Sequence, residues 1–112
     1  MRKFYRVSNE ETQQGLWYSF EGEFTGNIHH KYNFCKNTEL AMDFDDEIVG
    51  YLSVAEDLDT LFFWFPKEDI VKLQEHGYAI HVFETDDYKF YERFQHYVIN
   101  QNNSQLIEKI TI

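Results

Sequence analysis

His29, His30 and Cys35, with His96 far along the chain, are of the types that ligate zinc. Structural zinc sites draw on two close pairs of Cys or His. Here one adjacent His pair stands near a lone thiol, and neighbouring residues on a strand point to opposite faces. No metal site is expected. As a nucleophile, Cys35 needs a His base and a lowered pKa. The sequence shows neither, so it reads as a half-buried structural thiol. Asp43, Asp45, Asp46 and Glu47 offer the oxygen ligands calcium takes, but the run lacks the mid-loop Gly and distal Glu of an EF-hand. It reads as a solvated acidic loop, suited to facing Lys or Arg on a partner.

Further candidates come from placement. Arg6 shares strand parity with Phe4, and Glu84 shares it with Tyr78, Ile80 and Val82, so both charges aim along otherwise apolar faces. The plain alternatives are strand ends that reach solvent, or a mutual ion pair. Ser53 opens Ser53-Val54-Ala55-Glu56, a capping-box pattern that accounts for it as a helix N-cap. Trp17, Tyr18, Phe20 and Phe24 lie in a segment without a clean core period. With Glu21 and Glu23 they read either as core filling or as an acidic, aromatic protein-contact patch.

These residues sit on a chain of 112, so one domain spanning 1–112 is expected. Twenty acids against ten bases give a net charge of −10. That field repels phosphate backbones and disfavours direct nucleic-acid binding. It suits a basic protein partner, or a partner surface that normally holds nucleic acid, and it also simply favours solubility. Aromatic residues are 19% of the chain, including eleven Phe and eight Tyr. A core this small leaves some of them partly exposed, where they make contacts. The single Cys35 permits no internal disulfide, which fits a cytoplasmic setting. No signal-peptide pattern or membrane-length apolar run is seen; Pro66 stops the nearest, Leu61–Phe65.

The elements that must position the candidates follow from periodicity. Phe4–Val7 predicts a strand, and Ile48–Leu52 a short second one. Leu58, Leu61, Phe62 and Phe65 recur at i, i+3, i+4, i+7, which predicts a helix over 54–65. Pro66 opens a second short helix, with Glu68 and Asp69 in its first turn and Gly77 as its stop. Tyr78–Thr85 is apolar on both faces and predicts a central strand. Asp86 to about Arg93 reads as a turn or short helix, followed by a strand at Tyr97–Ile99. Leu106–Ile112 reads as a strand or helix. The order predicts an α+β domain with a mixed or antiparallel sheet and two short consecutive helices.

Four stretches together resemble small uncharacterised proteins of phages and bacterial mobile elements. They are Phe4-Tyr5-Arg6-Val7 with Thr12 and Gly15; Gly50-Tyr51-Leu52-Ser53; Leu61–Phe65 ending in Trp64-Phe65; and Leu73–Glu84 with Gly77-Tyr78 and Phe83-Glu84. The resemblance implies a phage or mobile-element context, where small acidic proteins often inhibit host defence. A second likeness is to ADP-ribosyltransferases, through the order Arg6, Ser53, Glu84. It implies NAD as cofactor, with Arg6 holding the diphosphate and Glu84 gripping a ribose hydroxyl beside a cationic transition state. The chain departs from that family in its shortness, in lacking a Ser-Thr-Ser pattern, and in carrying Val82 two residues before Glu84.

The leading expectation is therefore a non-enzymatic, cofactor-free cytoplasmic protein that binds and inhibits a basic-surfaced bacterial host protein, such as a defence nuclease. Trp17, Tyr18, Glu21, Glu23, Asp43, Asp45, Asp46 and Glu47 are the expected contacts. The alternative is a nucleotide-binding protein or enzyme using Arg6, Ser53 and Glu84.

Overall fold

The computed structural model describes residues 1–11, 50–92 and 95–112. Strand β1 (Arg2–Asn9) is followed by β2 (Tyr51–Val54), helices α1 (Leu58–Trp64) and α2 (Lys67–Gln74), and strands β3 (Tyr78–Thr85), β4 (Tyr88–Tyr91), β5 (His96–Asn100) and β6 (Gln105–Ile110). Among the described residues they form two antiparallel three-stranded sheets, ordered β1-β3-β6 and β2-β5-β4. The fold is α+β, as expected. The segment carrying Trp17, Tyr18, Glu21, Glu23, His29, His30, Cys35, Asp43, Asp45, Asp46 and Glu47 lies outside the described residues.

Strand β3 is central in its sheet because it is apolar on both faces. On one face Val7, Tyr78 and Ile80 pack with Leu61 and Phe65 at α1 and with Ile70 and Leu73 of α2. On the other, Phe4 and Phe83 meet Val54 and Ile99 of the second sheet. The first sheet is thus sandwiched between the helices and the second sheet. One isolated bridge stitches the sheets together: Tyr5 and Ala55 exchange N–H···O bonds of 2.9 and 2.8 Å.

Helix α1 buries Leu61 and packs Leu58 and Phe62 toward the same core, as the spacing predicts. Its start differs. The N-cap is Asp57, whose Oδ1 accepts from the Thr60 N–H at 2.7 Å. Ser53 is no cap, because it belongs to β2 and pairs with Val98 of β5. Pro66 stands one position before α2, where its carbonyl accepts from the Asp69 and Ile70 N–H groups at 2.9 and 3.1 Å. Gly77 takes φ +86° where the chain turns from α2 into β3, a conformation other residues rarely adopt.

The stretch read as a turn or short helix is instead β4. Tyr88–Tyr91 pairs antiparallel with His96–Ile99. Two aromatics, Phe90 and Tyr97, fall opposite each other on one face. They are seven apart in sequence, a separation that would also put them on one face of a helix, and here the hairpin sets it. Asp87 Oδ2 accepts from the side chains of Asn100 and Asn103 at 3.0 and 2.6 Å, pinning the far end.

Candidate functional site

Arg6 sits mid-strand in β1, only 8% exposed. Its guanidinium Nη1 donates to the main-chain oxygen of Ser53 at 2.9 Å, bridging the first sheet to the second. Directly opposite it on β3 lies His81. The buried His81 Nδ1 is 2.7 Å from the hydroxyl of buried Ser8. Burial lowers the His81 pKa, and the Arg6 charge pushes the same way; Glu10 opposes them and Lys109 adds to them. Neutral imidazole is therefore the favoured form, with Ser8 able to donate to or accept from it.

Ser53 also meets a residue the sequence had not joined to it. Its hydroxyl lies 3.0 Å from His96 Nε2. The two are diagonal neighbours on one face of β2–β5, since Ser53 pairs with Val98. Trp64 and Tyr91 stand edge-on to the His96 ring, at 5.9 and 5.7 Å between centroids. A Ser–His contact is the first half of a nucleophile–base arrangement. The two residues are 43 apart in the chain, and no spacing rule links them. Only strand pairing does.

Glu84 is not part of this cluster. Residues paired across antiparallel strands share a face, and faces alternate along a strand. Arg6 pairs with His81, and Glu84 pairs with Lys3. His81 and Glu84 are three apart on β3, so Arg6 and Glu84 point to opposite faces of the sheet. The structure brings Arg6 and Ser53 together and leaves Glu84 on the far side. Two small clefts adjoin the cluster, one of about 20 Å³ beside Arg6, Ser53 and Trp64, the other of about 30 Å³ beside Trp64 and His96. Each has room for a water or two, whereas small-molecule sites run to roughly 300–1,000 Å³.

A second cluster forms where β1 meets β4 and β5. The Arg2 guanidinium stands over three rings, 4.7 Å from the centroid of Tyr97, 5.1 Å from Phe4 and 5.3 Å from Tyr88. Its Nη2 donates to Glu56 Oε2 at 3.1 Å. Hydrogen bonding to Tyr97, then to Tyr88, raises the Arg2 pKa further above its ordinary value. The rings also touch one another: Phe4 lies 5.0 Å from Tyr88 and 5.6 Å from Tyr97, and Phe90 lies 5.2 Å from Tyr97. Phe4 is fully buried, while Tyr88 is 38% and Phe90 44% exposed. The result is an aromatic patch with the Glu56 carboxylate at its edge. The sequence signal for it was the aromatic surplus, which did not say where the surplus would gather.

Among the described residues, no three or more His, Cys, Asp or Glu side chains stand close enough to hold a metal ion. No helix among them is long and apolar enough to cross a membrane. No protein-family model, curated protein or solved structure matches the chain.

Proposed function

We propose that the protein works by binding: it docks on a basic surface of a bacterial host protein and blocks it, as an inhibitor of host defence would. The observation that carries this reading is the exposed aromatic patch of Tyr88 and Phe90, with the Glu56 carboxylate at its edge through Arg2, on a chain of net charge −10. Exposed aromatics beside carboxylates suit a contact rich in arginine and lysine. The segment with Trp17, Tyr18, Glu21, Glu23, Asp43, Asp45, Asp46 and Glu47 adds the same chemistry in sequence. The phage and mobile-element resemblance supplies the host-protein context.

The nucleotide reading has less in its favour. A diphosphate-binding Arg6 and a ribose-gripping Glu84 must reach one ligand, and these two lie on opposite faces of β1–β3. Arg6 also spends a donor on the Ser53 carbonyl.

A pull-down from bacterial lysate with the tagged protein tests the proposal, run beside Asp43→Lys/Asp45→Lys/Asp46→Lys and Glu56→Lys variants at low and high salt. The expected result is a basic protein retained by the wild type, weakened by salt and lost with the charge reversals. A thermal-shift titration with NAD is the counter-test. A ligand at 100 times its dissociation constant adds about 2.7 kcal/mol. A clear shift with NAD, abolished in Arg6→Ala and Glu84→Ala, would overturn the binding reading.

A further inference from the structure

The rings around Arg2 have the form of a receptor for a planar cation. Three centroids lie within the roughly 6 Å over which a cation is attracted to a ring face. A carboxylate closes the remaining side at 3.1 Å. Guanidinium suits such a site better than ammonium, since it stacks on rings and presents a fork of N–H donors to a carboxylate. The aromatic wall also runs on past Arg2. Phe90 extends it edge-on from Tyr97, and both Phe90 and Tyr88 remain substantially exposed. Arg2 is itself partly exposed, as is its ion-pair partner Glu56, and it is the first residue of β1, where its Thr85 pairing is the last of the ladder.

The geometry points to a guanidinium-binding site formed by Phe4, Tyr88, Tyr97 and Glu56, filled from within by Arg2, that takes an arginine side chain of a basic partner when Arg2 swings out. Arg2 is then an internal stand-in for the partner's arginine, and it lowers the site's apparent affinity by the fraction of time it occupies it. If Arg2 is seated about nine-tenths of the time, its removal strengthens binding about tenfold. The inference rests on the binding reading above only for the source of the arginine.

The test uses capped arginine (N-acetyl-arginine amide) as the probe and the ring signals of Tyr88 and Tyr97 in NMR as the readout, so no partner is required. Wild type, Arg2→Ala, Arg2→Gln and Arg2→Ala/Glu56→Gln are titrated, with far-UV circular dichroism confirming that each is folded. The expected result is saturable shifts at Tyr88 and Tyr97 in both single variants, at least about tenfold tighter than in the wild type. Adding Glu56→Gln weakens them, and capped lysine binds less well than arginine. Equal affinity in wild type and both single variants, or no movement of these rings in any folded variant, would overturn the site. Either failure leaves the lysate pull-down to decide the broader reading by itself.

Discussion

Replacing Arg6 by Ala separates a structural role for this residue from a catalytic one. Its guanidinium is buried and donates to the Ser53 carbonyl across the two sheets. A hydrogen bond from a charged donor contributes about 1.5–3 kcal/mol. Deleting the side chain strands a partly buried carbonyl and strips the packing of the aliphatic stem. The net stability of such a domain is about 5–15 kcal/mol, so the loss is a large share of it. At about 4–8 °C per kcal/mol, the melting temperature falls by roughly 6–24 °C. Arg6→Lys, which keeps the charge and loses the planar fork, is expected to fall between. One opposing effect accompanies the change: without the nearby guanidinium, the His81 pKa rises partway toward its ordinary value, with burial still holding it down. The assay is urea unfolding followed by tryptophan fluorescence, comparing midpoints at unchanged slope, with Glu84→Gln as a control expected within about 0.5 kcal/mol of wild type. An Arg6→Ala protein as stable as wild type would refute the bridge between the sheets. It would also restore the view that Arg6 is kept for a ligand.

The fold holds His81 neutral with a lowered pKa, so the unfolded chain binds its proton more tightly; the stability this contributes is complete above about pH 6.5, the ordinary His value, and is lost as pH falls below it. Urea midpoints at several pH values should therefore fall more steeply on acidification for wild type than for His81→Gln, and parallel lines would show that His81 is not responsible. Phe4→Ala removes a fully buried ring from the seam between the sheets, with an expected cost of about 3–5 kcal/mol and loss of near-ultraviolet circular dichroism; a change under about 1 kcal/mol would mean the seam is not packed as described. Gly77→Ala meets only the Asn9 side chain, at 3.8 Å, so its expected cost of about 1–2 kcal/mol comes from the +86° backbone alone, and calorimetry showing no loss would argue against that conformation.

The sequence by itself determined the features that depend on short-range pattern. The both-faced apolar run of Tyr78–Thr85 made β3 a central strand, because only a strand covered on two sides keeps such a run from water. The spacing of Leu58, Leu61, Phe62 and Phe65, cut off by Pro66, set the two consecutive helices. Gly77 marked the turn that ends the second. The acidic charge and aromatic surplus are likewise properties of the sequence alone.

Tertiary structure decided whatever needed two distant segments to be placed in register. Parity along β1 and along β3 was legible one strand at a time. Which face of one matched which face of the other was not, and that relation put Arg6 and Glu84 on opposite sides. Ser53 had a complete local account as a helix cap, yet pairing with β5 claimed it for a strand, and Asp57 became the cap. The Phe90–Tyr97 spacing fits a helix or a hairpin equally well until β5 is seen opposite β4. The gathering of Arg2, Glu56, Tyr88 and Tyr97 draws on three separate parts of the chain. Local periodicity is set by each residue's own backbone and nearest neighbours, whereas register and inter-sheet contact are set by how the whole apolar surface is best buried.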